Sequence, residues 1–224
     1  MKKLAIIGAS GHGKVIADIA VKNGYKEIVF LDDNPNVQEC AGFRVVGTSK
    51  DLDKYPDYDV IVAIGNACIR KKIHKQVGED RLTALIHPQS VISRRVTIGQ
   101  GTVIMAGAIV NSDTKIGEGC IINTGASVDH DCSIGDFVHV SVGAHIAGTV
   151  TIGKRTWIGA GATVSNNIEI CSECMIGAGA VVVSNIKEKG TYIGVPVKKW
   201  KTNVFSGEVT LSLYNIASPK ARIA

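Results

Sequence analysis

Aromatic side chains are scarce in this sequence: two Trp, five Tyr and four Phe among 224 residues. Lys and Arg are scattered along the chain, so there is no stacking platform beside a basic stripe, which argues against a nucleic-acid binder. No apolar run approaches the roughly 20 residues that a membrane-spanning helix needs. The opening MKKLAIIG has a basic start, but its apolar run is short and passes straight into a glycine turn. It reads as a first strand and not as a secretion signal. A second C-x-x-C to complete the one at Cys171–Cys174 is also missing. A four-cysteine zinc site is therefore unavailable, and no metal is expected. The six cysteines read as free thiols in a reducing, cytoplasmic setting.

What the chain has in abundance is a repeat. From Ile86 through Ile92, Ile98, Ile104 and Val110 to Val182, isoleucine or valine occupies every sixth position, seventeen in succession. Two residues before most of them stands a small or β-branched residue, as at Ala108, Thr114, Cys120, Ala126, Cys132 and Val138. Glycine commonly follows, as at Gly99, Gly117, Gly135 and Gly153. A period of six is neither helical nor plain alternation. It fits short strands with two inward residues spaced by two, joined by turns. Three such sides close a triangular coil, so the stretch predicts a prism of stacked parallel strands. Five to six coils would stand roughly 25–30 Å tall at about 4.8 Å per coil. A β-sandwich would instead show irregular strand spacing and hairpin turns. Cys120, Cys132 and Cys174 fall on the small inward position, where a thiol packs as a modest hydrophobe. The periodicity resembles that of the hexapeptide-repeat acyltransferases, whose fold is a left-handed parallel β-helix. The handedness is what the resemblance implies, since ordinary parallel crossovers are right-handed.

Ahead of the prism, KLAIIG (3–8), EIVFLDD (27–33) and VIVAIGN (60–66) read as buried strands, with a short strand near Phe43–Gly47. Helical patterns run from about Val15 to Asn23 and from Ala67 to Val77. Strands alternating with helices make a small Rossmann-like α/β domain with a parallel sheet over 1–83. The prism follows over 84–199, closed by the turn Gly194-Val195-Pro196, and the tail 200–224 has no strong pattern and no assignable role. Gly8-x-x-Gly11-x-Gly13 lies between a strand and a helix, where backbone N–H groups and a helix N-terminus can hold phosphate. The same spacing also serves plain close packing of strand on helix. Asp32 and Asp33 end the second strand, where they can accept hydrogen bonds from sugar hydroxyls, and Gly65-Asn66 borders the same crevice. The domain is about half the length of a dinucleotide-binding one and suits a mononucleotide or nucleotide-sugar. The net charge of +5 is compatible with such an anion.

The densest polar cluster in the prism is SVDHDCSIGDFVHVSVGAHIAG, residues 127–148. His130 occupies a turn slot between Asp129 and Asp131, and a histidine bonded to a carboxylate is held in one tautomer and gains basicity. His139 and His145 project outward from successive flat sides. Gly148 follows His130 by one coil of eighteen residues, so it stacks above His130 and its backbone N–H could face a developing oxyanion. No serine or cysteine stands beside His130 in a way that suggests an acyl-enzyme, so transfer to an acceptor would be direct.

The GASGHG start, the LDD and AIGN strand ends, the DHDCSIGDFVHVSVGAHIAG segment and the closing GVPVKKW together match one group over about residues 3–200. The chain resembles the nucleotide-sugar acetyltransferases of the UDP-N-acetylbacillosamine pathway, which are related to the sialic-acid O-acetyltransferases. The resemblance implies an acetyl-CoA-dependent N-acetyltransferase acting on a nucleotide-linked, UDP-type 4-amino-deoxy sugar. It implies His130 as general base, with Asp131 increasing its basicity where the family commonly has Glu. It places coenzyme contacts on His139, Gly148, Ala160 and Ala178, the last replacing a family glycine. Nucleotide-sugar contacts fall on Ser10, Gly11, His12, Asp32, Asp33 and Gly65.

Three alternatives stand beside this reading. An O-acetyltransferase acting on a sialic acid or other sugar hydroxyl shares the scaffold and the base. A zinc carbonic anhydrase on the same prism needs three converging histidines, whereas His139 and His145 leave from different sides. A nucleotide-sugar sensor would bind without turnover. The six-residue period also bears on assembly. With turns at 130, 136 and 142, His130 stands at one corner and His139 on the flat side between the other two. One acetyl group can meet both only across a subunit boundary, as in a homotrimer of parallel prisms, the assembly that the resemblance also implies; the alternative is a structural His139 and a site wholly on one chain.

Overall fold

The computed structural model describes residues 1–200, so the tail set apart above lies outside the described residues except for Trp200. The strands Lys3–Ile7, Glu27–Leu31 and Asp59–Val62 form a parallel sheet with the first strand in the middle. Their central residues Leu4, Ala5, Ile6, Phe30, Val60 and Ile61 are fully buried, which accounts for the continuous apolar runs in the sequence. Helix α1 spans Gly11–Lys22 and helix α2 spans Ala67–Val77. The second agrees with its sequence pattern. The first begins a turn earlier than the pattern at Val15, because its opening turn is built from glycines that carry no periodic signal. The expected strand near Phe43–Gly47 is a short hairpin, Glu39–Cys40 against Phe43–Arg44.

From Leu85 onward the chain winds into the prism. Two-residue strands recur every six residues and pair in parallel with strands eighteen residues away, as Ser127–Val128 does with Ile109–Val110 and His145–Ile146. The result is the prism of parallel strands that the repeat predicts, with the left-handed winding that the resemblance implies. Its first face carries residues 91, 109, 127, 145, 163 and 181, and its second carries 97, 115, 133, 151 and 169. The third carries 85, 103, 121, 139, 157 and 175. The repeating aliphatics and the small residues two positions before them fill the interior, with Ile122, Val128, Val140 and Ile158 wholly buried. The cysteines at inward positions, Cys120, Cys132 and Cys174, are buried among them.

The α/β domain is packed onto the third face. One apolar cluster joins Ile6, Ile16, Ile19 and Phe30 to Leu85, Val103, Met105 and Ile121 of the prism. At the corner between the second and third faces, His74 of α2 lies against Phe137, with ring centroids 5.1 Å apart. A Cβ on Gly101 would stand 2.2 Å from the His74 ring, so the bare residue is what lets the helix approach.

Candidate active site

His130 and Asp131 form the corner between the first and second faces, after the strand Ser127–Val128 and before Ser133–Ile134. Asp131 takes the left-handed conformation at φ 58°, a region that aspartate enters more readily than most residues. That backbone turn sets the carboxylate beside the ring, and Oδ2 accepts from Nδ1 of His130 at 2.7 Å. The other flanking carboxylate does something else. Asp129 Oδ1 accepts from Asn111 Nδ2 and from the His130 amide, both at 2.8 Å, and these bonds hold its pKa below the usual carboxylate value. Asp129 therefore builds the corner while Asp131 orients the imidazole. The hydrogen bond to Asp131 raises the His130 pKa above 6.5. With Nδ1 engaged, Nε2 is the atom left to take a proton.

Gly148 stacks on this corner. Thr149 N donates to His130 O at 2.9 Å and Asn167 N to Gly148 O at 3.1 Å, so three corners form a column. A Cβ on Gly148 would lie 2.6 Å from His130 Nε2. Any side chain at 148 would therefore cover or displace the Nε2 edge of the ring.

His139 projects from the third face and stacks on Trp157, with 5.6 Å between ring centroids and 1° between planes. Asn123 Oδ1 accepts from Thr124 N at 2.8 Å, which turns its Nδ2 towards His139 Nε2 at 3.1 Å. The His139 Nε2 thus accepts, and the ring proton resides on Nδ1. Burial, followed by the positive Arg70 and by His12, depresses its pKa to about 3. It is a neutral imidazole with one free donor. The sequence did not single out Asn123 or Trp157. The eighteen-residue coil could have found Trp157, since it places that ring directly above His139.

The remaining expected coenzyme residues lie elsewhere. Ala160 and Ala178 are exposed and stack on the corner between the third and first faces, where Gly179 N donates to Ala160 O at 2.8 Å. Within one chain the expected residues fall into two groups. His130, Asp131 and Gly148 share one corner, while His139 lies on the opposite face, with Ala160 and Ala178 along its border.

Ser10, Asp32, Asp33 and Gly65 line a cavity of about 230 Å³ at the carboxyl ends of the sheet strands. A second cavity of about 350 Å³, lined by Ser49, Lys50, Lys72 and Gln76, shares Asp33 and Ser49 with it. The glycine pattern divides by function. A Cβ on Gly13 would sit 2.3 Å from Gly8 O, and one on Gly8 would sit 2.8 Å from Ala63 O, so both serve close packing. Gly11 opens to free space and alone could let a ligand approach the backbone. Asp32 is largely committed, with Oδ2 accepting from Ala9 N at 2.6 Å and Oδ1 from Asn34 N at 2.8 Å. Among the described residues Asp33 accepts only at Oδ1, from Ser49 N at 2.9 Å. His12 is not in the cavity lining. It is half-buried with Nε2 unpartnered, and burial together with Arg70 lowers its pKa to about 4. Asn66, beside Gly65, caps α2 by accepting from Cys68 N and Ile69 N.

Among the described residues no cluster of three His, Cys, Asp or Glu side chains could hold a metal ion. No described helix is long and apolar enough to cross a membrane.

The prism and its appended α/β domain define a class, the left-handed β-helix transferases that carry a small parallel α/β domain. Residues 3–77 match the family described as PglD N-terminal domain, and residues 149–184 match the bacterial transferase hexapeptide repeats. The acetyltransferase domain of PglB from Neisseria gonorrhoeae, solved with acetyl coenzyme A, is 43% identical with a TM-score of 0.85, covering 89% of this chain and 99% of that one. PerB from Caulobacter crescentus, solved with CoA and GDP-perosamine, is 34% identical with a TM-score of 0.85, over 90% of this chain and 98% of that one. A curated relative, the UDP-N-acetylbacillosamine N-acetyltransferase of Bacillus subtilis, is 38% identical over 113 residues, 47% of this chain and about half (52%) of its own length. The chain belongs to the nucleotide-sugar acetyltransferases of the hexapeptide-repeat superfamily.

Proposed function

We propose that this protein transfers the acetyl group of acetyl-CoA to the amino group of a UDP-linked 4-amino-deoxy sugar, directly and with His130 as general base. The observation that carries the reading is the oriented His130–Asp131 pair, whose free Nε2 faces the clearance left by Gly148. The acceptor nitrogen would attack the thioester carbonyl, its proton would pass to His130 Nε2, and the carbon–sulfur bond would break to release CoA. The Gly148 N–H and the Nδ1–H of His139 are donors suited to the thioester oxygen. The acceptor's nucleotide would occupy the paired cavities beside Asp33. The amino-sugar class rests on the Bacillus subtilis relative and on the GDP-perosamine bound in PerB. Because His130 and His139 stand on opposite sides of one prism, the working unit is a homotrimer in which adjacent chains complete each site, acting in the cytoplasm.

The test is acetyl-CoA consumption against a panel of UDP-, GDP- and dTDP-linked 4-amino sugars and their 4-hydroxyl analogues. Turnover confined to UDP-linked amines is expected. Turnover of the hydroxyl analogues alone would make the enzyme an O-acetyltransferase, and tight binding without turnover would make it a sensor.

The pH profile should follow His130. Only its neutral form accepts a proton, so kcat/KM is expected to rise through a pKa above 6.5. Asp131→Asn removes the main cause of the elevation, so the inflection should move down towards the ordinary histidine value while the plateau falls. An unmoved inflection would separate Asp131 from the base.

The two substrates should also respond separately. Asp33→Ala is expected to raise the acceptor KM by about tenfold, the loss of roughly one charged hydrogen bond, and to leave the acetyl-CoA KM within twofold. Asp32→Ala should in addition lower the melting temperature, since that carboxylate bonds the glycine turn. Equal effects of Asp33→Ala on both substrates would count against a division between domains.

A further inference from the structure

Arg70 is buried, 1% exposed, on α2. Among the described residues its guanidinium hydrogen-bonds only to backbone carbonyls. Nη1 donates to Ile64 O and Gly65 O, both at 2.7 Å. Nε donates to Gly119 O at 2.7 Å and Nη2 to Phe137 O at 2.9 Å. The first two carbonyls belong to the turn that lines the smaller cavity. The other two are the corners of successive coils between the second and third faces of the prism. No described carboxylate forms an ion pair with it. A buried cation without a counter-charge is costly unless its donors are well satisfied, and here carbonyl oxygens from both domains satisfy them. The fork shape of the group matters, because its donors reach four carbonyls at once, whereas a lysine ammonium has three donors on a single nitrogen.

We propose that Arg70 is a positioning residue that registers the acceptor cavity against the prism, fixing the Ile64–Gly65 turn at a set distance from the coils that carry the acetyl-transfer groups. The proposal rests on the acceptor reading given above and deepens it. Arg70 lines neither of the two cavities described above. It acts through the turn at one end and the prism corners at the other, and its charge also disfavours protonation of His12 and His139. Packing of the buried His74 on Phe137 and the apolar cluster under α1 would keep the domains together without it, but would not fix the turn.

The test uses full-length Arg70→Lys and Arg70→Gln, first checked for folding by circular dichroism. Amide hydrogen exchange is read segment by segment. Exchange across residues 63–67 and at the start of α1 is expected to rise at least about tenfold, with the coils from 139 to 182 unchanged. In kinetics, kcat/KM for the acceptor should fall about tenfold or more while the acetyl-CoA KM stays within twofold, and Arg70→Lys should rescue only part of the loss. Unchanged exchange at 63–67 would overturn the proposal. So would a uniform rise in exchange through the prism, which would make Arg70 a general stabiliser. If the wild-type protein acetylates no nucleotide-linked sugar, the functional reading fails, and the exchange measurement still decides the role of Arg70. If one variant does not fold, the other carries the measurement. If neither does, Arg70 is a folding determinant and the positioning role is refuted.

Discussion

His130→Ala should lower acetyl transfer by about 10²–10⁴-fold, the range a general base contributes, while the fold and coenzyme affinity stay close to those of the parent. The ring is more than half exposed at a corner, with its side chain 56% accessible, and fills no part of the core. Its removal opens no cavity, and the corner keeps the Asp129–Asn111 bond and the column of backbone hydrogen bonds through Thr149. Loss of activity without loss of melting temperature therefore isolates chemistry from stability. Turnover near that of the parent at neutral pH would remove His130 from the mechanism.

A larger qualitative effect is expected from mixing subunits. In the proposed homotrimer, His130→Ala and His139→Ala chains should each have little activity on their own. After subunit exchange, some of the proposed interfaces would bring a native His130 from one chain to a native His139 from its neighbour, and part of the activity should return. The prism geometry makes this a sharp test. The column holding His130 and Gly148 faces away from the side on which His139 stacks on Trp157, and no side-chain rotation carries either ring around the prism. No recovery despite demonstrated exchange would place the whole site on one chain and reduce His139 to a structural residue.

These residues also mark how far the sequence could be read. The prism was legible because every coil obeys one rule, an inward aliphatic at each sixth position, so a single period gave strand positions, faces and corners together. The placement of His130 and His139 followed from the same arithmetic. The start of α1 was not legible. Gly11 and Gly13 are poor helix formers in isolation, and the helix begins there because the missing Cβ of Gly13 lets it close onto Gly8, a tertiary cause. Arg70 left no trace, being one cation among Arg70, Lys71, Lys72 and Lys75 on a basic helix. Only the approach of two distant coil corners distinguishes it. The unequal engagement of Asp32 and Asp33 was hidden for the same reason, because both carboxylates look alike until their backbone partners are known.

A stack of coils has no intrinsic length: each rung offers the next the same row of unpaired amides and carbonyls, which is also the geometry of fibre growth. Here both terminal rungs of the third face are blocked. At one end Leu85 is covered by the α/β domain and is 2% exposed. At the other the chain doubles back after Gly190–Ile193, and Lys198–Lys199 pairs with that strand in the opposite direction. A second molecule arriving in parallel register meets a reversed strand bearing two exposed lysines, so that edge cannot template another coil. The return strand thus works as a terminator, which lets a self-complementary repeat exist as a particle of defined size.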